Sequence, residues 1–101
     1  GKKMMLLTKE IEKLFEKTGR QEQVKDPLVI CKFFDPTGSW SWFATEYDSK
    51  TGIFFGLVHG FEKEWGYFSL SELQSVRGKF GLGIERDRGF TPKRVSEIEA
   101  P

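Results

Sequence analysis

The chain has 101 residues, a formal net charge of +1 and an aromatic content of 15%. That length predicts one domain, residues 1–101, burying roughly two-thirds of the surface its unfolded form exposes, enough for a core without metal or disulfide staples. Near-neutral charge excludes an acidic DNA mimic and a histone-like binder working by bulk electrostatics, and no apolar run approaches the ~18 residues of a membrane-spanning helix.

The start, Gly1 to Leu7, is basic and then apolar, and its apolar part is too short for a secretory leader. Thr8 is placed to cap a helix that Gly19 ends. Between them Ile11, Leu14, Phe15 and Thr18 repeat at helical spacing, with charged residues on the other face. After a polar loop, Pro27 opens a nearly continuous apolar strand, Leu28 to Phe34, expected inside the sheet. Asp35-Pro36-Thr37-Gly38 fits a type I turn.

The next strand is expected from Ser39 to Tyr47. Alternation puts Trp40, Trp42 and Ala44 on one face and Phe43, Thr45 and Tyr47 on the other. The Asp48–Gly52 turn leads to a strand from Ile53 to His59. Gly56, in its middle, marks a bulge or a bulky cross-strand neighbour. A Gly60–Gly66 loop precedes a short fourth strand, Tyr67-Phe68. Ser69 to Glu72 has the spacing of a capping box, starting a helix that buries Leu70, Leu73 and Val76 and stops at Gly78. Lys79 to Gly83 is too glycine-rich for regular structure. Ile84 to Arg86 reads as a fifth, edge strand, and Thr91-Pro92 as the start of a last short helix packed through Val95 and Ile98.

The predicted fold is α+β: an antiparallel sheet of four to five strands, two main helices on one face and a short C-terminal helix. One core is expected from Ile11, Leu14, Phe15, Ile30, Phe55, Leu57, Leu70, Leu73 and Val76.

Few residues carry obvious chemistry. Cys31 is the lone cysteine and His59 the lone histidine, too few for a zinc site. Cys31, inside an apolar run, suits an inert thiol in a reducing cytoplasm, and His59 suits a strand end. Asp35, Glu46, Asp48, Glu62 and Glu64 fall at turns, where carboxylates bond nearby amides. No catalytic constellation, metal site or cofactor site is expected, and Gly81-Leu82-Gly83 lacks the strand-to-helix setting of a dinucleotide loop. Two features fit binding. Arg77, Lys79, Arg86 and Arg88, with Lys93 and Arg94, outnumber Glu85 and Asp87 around a glycine-rich loop that carries Phe80. Trp40 and Trp42 are either core or a base-stacking platform.

The ordered blocks Leu7-Thr8-Lys9-Glu10-Ile11, Lys25-Asp26-Pro27, Lys32-Phe33-Phe34 with Trp40 and Trp42, Thr45-Glu46, Phe54-Phe55-Gly56, Gly66 to Leu73, and Ile84-Glu85-Arg86-Asp87 with Phe90 and Pro92 give the chain its resemblance. From about Leu6 to Glu97 it resembles the bacterial domain-of-unknown-function family numbered 2958. The resemblance implies a small product of plasmids, phages and integrating elements, and it carries no catalytic residues. The leading expectation is therefore a non-enzymatic accessory protein of mobile genetic elements, binding DNA or RNA through Arg77, Lys79, Phe80, Arg86, Arg88, Trp40 and Trp42. The alternative is a protein-interaction module that modulates a host or element-encoded enzyme.

Overall fold

A computed structural model describes residues 5–99 of the chain. The basic start, Lys2-Lys3, lies outside the described residues. Helix α1 spans Lys9–Thr18, capped by the Thr8 hydroxyl, which accepts from the Ile11 amide at 3.2 Å. At its other end Gly19 has φ +72, the left-handed region, and its amide donates to the Phe15 carbonyl. Strands β1 (Leu28–Val29), β2 (Cys31–Phe34), β3 (Ser41–Asp48), β4 (Ile53–His59) and β5 (Lys63–Ser69) follow. Then come α2 (Leu70–Ser75), a single turn of 3₁₀ helix (Lys79–Gly81), β6 (Glu85–Arg86), β7 (Lys93–Arg94) and α3 (Val95–Glu99).

The main sheet has five antiparallel strands in the order β5-β4-β3-β2-β6. The fold is thus α+β with an antiparallel sheet, as the pattern of turns and alternation predicts, while its helical content is small. β1 and β7 form a separate two-stranded ribbon. The apolar run expected as one strand is therefore split at Ile30, whose amide donates to the Ala44 carbonyl. Residues before Ile30 pair with β7, and residues after it pair with β3. An unbroken apolar run carries no mark of such a change of partner.

The sheet has two packed faces. On the first face Phe33 lies edge-on to Phe54 at 5.3 Å, and Phe54 stacks on Phe68 at 5.3 Å. Leu6, Leu7, Phe15, Leu73 and Ile84 join this larger cluster. On the second face Val29, Phe43, Leu57 and Val95 form a smaller one, flanked by Phe90 and Ile98. The core is thus double. Phe15, Ile30, Leu57 and Leu73 are buried and Ile11, Leu14 and Leu70 half-buried, but Leu57 belongs to the second face. Val76 is 38% exposed, because α2 ends at Ser75 and Val76 is already extended.

Register shifts in β3 between Ala44 and Glu46, leaving Thr45 as a bulge. The extra residue inverts the alternation beyond it. Tyr47, expected beside Phe43, lands instead on the first face, 4.6 Å from Phe54 and 5.9 Å from Phe15. Gly56 answers the bulge: a Cβ there would lie 2.0 Å from the Phe43 carbonyl oxygen, so only glycine allows this approach of the backbones.

β5 is seven residues long rather than a two-residue strand after a loop. Lys63, Glu64 and Gly66 disguise it in sequence, yet it pairs with β4 along its whole length, from Ile53↔Ser69 to His59↔Lys63. The last helix also starts later than Thr91-Pro92 predicts, since Lys93 and Arg94 are held extended by β1. Asp26 then fastens α3, accepting from the Ser96 amide at 3.0 Å and the Ser96 hydroxyl at 2.6 Å.

Gln21, in the polar loop after α1, is a buried hub. Its Nε2 donates to the carbonyls of Leu28 and Thr45, both at 2.8 Å, and its Oε1 accepts from the Leu28 amide at 2.7 Å. Its own amide donates to Glu46 at 3.0 Å. One amide side chain thereby joins the ribbon strand β1 to the bulge of β3.

Candidate functional site: an uncovered aromatic half-face

The C-terminal unit covers only part of the second face. Ribbon and α3 lie over Phe43 and Leu57, with Phe90 6.4 Å from Phe43. Among the described residues, the half that carries Phe55, Trp65 and Tyr67 has no such cover. There Phe55 is stacked on Trp65 at 5.8 Å and set edge-on to Tyr67 at 5.0 Å. Trp65 is 44% exposed and Tyr67 79%. These residues share a face because the register pairs Phe55 with Tyr67 and Leu57 with Trp65. Phe55, expected in the core, instead forms the floor of this strip. Trp65 and Tyr67 are not expected as a pair from the sequence, where Trp65 reads as part of a Gly60–Gly66 loop rather than of β5. The alternation Lys63, Trp65, Tyr67 against Glu64, Gly66, Phe68 was the available signal.

Phe55 and Tyr67 also border an open concavity of about 600 Å³ between α1 and the Asp48–Gly52 turn. Its charged rim is Glu16, Glu22, Glu46 and Asp48 against Arg20 and Lys50, so acids are in excess. Tyr47, on its wall, has its phenol pushed up by burial, with Glu12 and Asp48 adding to the effect. Such a surface offers rings and carboxylates, a poor match for a phosphate backbone.

The basic residues singled out in sequence are divided between the faces. Arg86 pairs across from Phe33, so it points to the first face, where its guanidinium donates to the Met5 carbonyl. Arg77 turns back on the end of α2, donating to the carbonyls of Gln74 and Val76, both at 2.7 Å. Lys79 is exposed, its amide bonded to Thr37 Oγ1 at 3.2 Å. Phe80 is 91% exposed at φ +62. Arg88 lies exposed in the loop that leads to the second face, and Lys93 sits over the Phe90 ring there. Lys79 and Phe80 are thus exposed neighbours in the chain, while Arg86 is turned to the first face and Lys93 lies with Phe90 on the second.

Trp40 and Trp42 are neighbours at 5.9 Å. Trp42 is half-buried against the larger cluster. Trp40 rests on Gly60, where a Cβ would come within 2.6 Å of its ring, and meets the exposed Phe61 edge-on at 5.4 Å.

Cys31 and His59 are on opposite faces: Cys31 pairs with Ala44 on the first, and His59 follows Phe55 and Leu57 on the second. Burial pushes the Cys31 thiol up to about 12, far from a reactive thiolate. His59 ends β4 with its ring 4.8 Å from Phe43. Among the described residues no group of three or more His, Cys, Asp or Glu is placed to hold a metal ion. Turn carboxylates bond amides: Asp35 accepts from Thr37, Asp48 from Lys50 and Asp87 from Gly89.

Fold and site together define a small α+β domain with an open aromatic sheet surface. The family model for Protein of unknown function (DUF2958) matches residues 5–98, nearly the whole chain, and the protein belongs to that family. None of the curated proteins and none of the solved structures compared matches it. No helix among the described residues is long and apolar enough to cross a membrane.

Proposed function

We propose that this chain is a non-enzymatic accessory protein that works as a protein-interaction module, with Phe55, Trp65 and Tyr67 as its contact surface. The observation that carries the reading is the uncovered half of the second face, where three packed rings stand beside a rim with excess acid. Contiguous exposed aromatic surface marks protein contacts more often than it survives by chance, and Trp and Tyr are the residues that dominate such contacts. The setting implied by the family resemblance is a bacterial mobile genetic element, and the partner is then a host or element-encoded enzyme.

The immobilised chain should capture a protein from bacterial extract that survives nuclease treatment. A Trp65→Ala/Tyr67→Ala variant should lose it, since anchors of this kind are worth about 2 kcal/mol or more each. Capture that nuclease abolishes, or that the variant retains, would refute the assignment.

One observation favours a nucleic-acid surface as the second reading: Phe80 stands almost fully exposed beside Lys79. Oligonucleotide binding that weakens steeply with salt and is lost in Lys79→Ala and Phe80→Ala would support it.

A further inference from the structure

The outer edge of β5 is a second property of the same strand. The Leu70 amide donates to the Gly52 carbonyl at 2.9 Å, and the Gly60 amide to the Glu62 carbonyl at 3.1 Å. With the register Ile53↔Ser69 through His59↔Lys63, these bonds set the phase of the ladder. Gly66 and its even-numbered neighbours bond to β4. Lys63, Trp65 and Tyr67 turn their N–H and C=O groups outward, and among the described residues no backbone hydrogen bond reaches them. Sheet edges are usually blunted by charge, proline or a bulge. Here Lys63 and Glu64 are charged, but Trp65 to Ser69 carries no charge, no proline and no shift of register.

We infer that β5 pairs antiparallel with β5 of a second copy of this chain, about a twofold axis at Gly66, joining the two five-stranded sheets into one. In that register Trp65 and Tyr67 of one copy exchange backbone hydrogen bonds with Tyr67 and Trp65 of the other. Gly66 meets Gly66, and nothing within 4 Å of the position a Cβ would take obstructs it. Lys63 falls opposite Ser69, whose hydroxyl donates to the Glu72 carboxylate at 3.0 Å, so an ammonium arrives beside a carboxylate on both sides of the axis. No like charges are directly opposed along the strand. The opposite edge, β6, has only two residues. One long free edge per molecule gives a closed pair rather than a filament. The pairing also doubles the aromatic surface, because both strips face the same way.

This inference extends the aromatic-surface reading to the edge of the same strand, and the two fail separately. Sedimentation of the 101-residue chain over a wide concentration range should show a monomer–dimer equilibrium. Trp65→Lys/Tyr67→Lys sets like charges opposite each other and should weaken the dimer about a hundredfold. Trp65→Glu/Tyr67→Lys, in which each acid faces a base of the other copy, should recover most of that loss. The altered side chains are exposed, and circular dichroism checks that each variant is folded. A monomer at every concentration would overturn the pairing while leaving capture of a different protein intact. A dimer indifferent to the double lysine variant, or one that the Glu/Lys variant fails to restore, would overturn it as well. A dimer that behaves as expected, with no aromatic-dependent capture, would uphold the pairing and remove the function proposed above.

Discussion

Replacing Gln21 by alanine tests how the ribbon is tied to the sheet. The side chain is buried and makes three hydrogen bonds, two to Leu28 and one to Thr45. Each bond contributes about 1 kcal/mol net, and a buried backbone group left without a partner costs about 1–3 kcal/mol. Thr45, at the bulge, is 1% exposed, so water cannot readily reach its carbonyl in place of the amide. Gln21→Ala should therefore cost roughly 3 kcal/mol, a large share of the ~5–15 kcal/mol that holds a small domain. Urea unfolding followed by tryptophan fluorescence reads the loss as a lower midpoint with an unchanged slope.

Gln21→Glu keeps the shape and exchanges the amide donor for a carboxylate facing two carbonyls. Those carbonyls and the burial disfavour the charged form, so the folded pKa of the new carboxyl lies above its unfolded value. Its contribution is then fully present below the unfolded pKa and lost as pH rises through the folded pKa. The variant should be closest to wild type in mild acid and worst at neutral pH. A cost under about 0.5 kcal/mol for the alanine variant, the size of an ordinary surface change, would refute the tie.

Leu73→Ala should cost roughly 2–5 kcal/mol, because Leu73 is 2% exposed in the larger cluster; a midpoint within error of wild type would contradict that packing. Cys31 should not react with thiol reagents in the native protein at pH 8 and should react on unfolding, since burial pushes its pKa up to about 12. Labelling at equal rates in both states would place the thiol at the surface. Asp26 is held below its ordinary pKa by hydrogen bonds from Ser96, chiefly the hydroxyl, so its small contribution is present above the unfolded pKa and lost as pH falls through the folded one. Ser96→Ala should flatten the acid limb of the stability profile, and an unchanged limb would remove Asp26 from the account.

Local chemistry was legible wherever a residue acts on neighbours close in sequence. Thr8 and Gly19 bound α1, Ser69 starts α2, and Asp35 and Asp48 make their turns, because each bond closes within a few residues. The class of fold follows from the same short-range signals added together. Pairing partners did not. Ile30 marks a change of partner, Thr45 inverts the face of Tyr47, and Lys63 to Gly66 extends a strand, each through contacts with residues far along the chain. Gln21 looked like an ordinary loop residue, since its importance comes from carbonyls brought to it by the ribbon and the bulge. The aromatic strip shows the difference most clearly. Composition guarantees that the chain has many rings, but apolarity alone cannot say which are left uncovered. Val95, Phe90 and Ile98 pack with Phe43 and Leu57 on one half of the second face, whereas Trp65 and Tyr67 stay exposed beside Phe55 on the other.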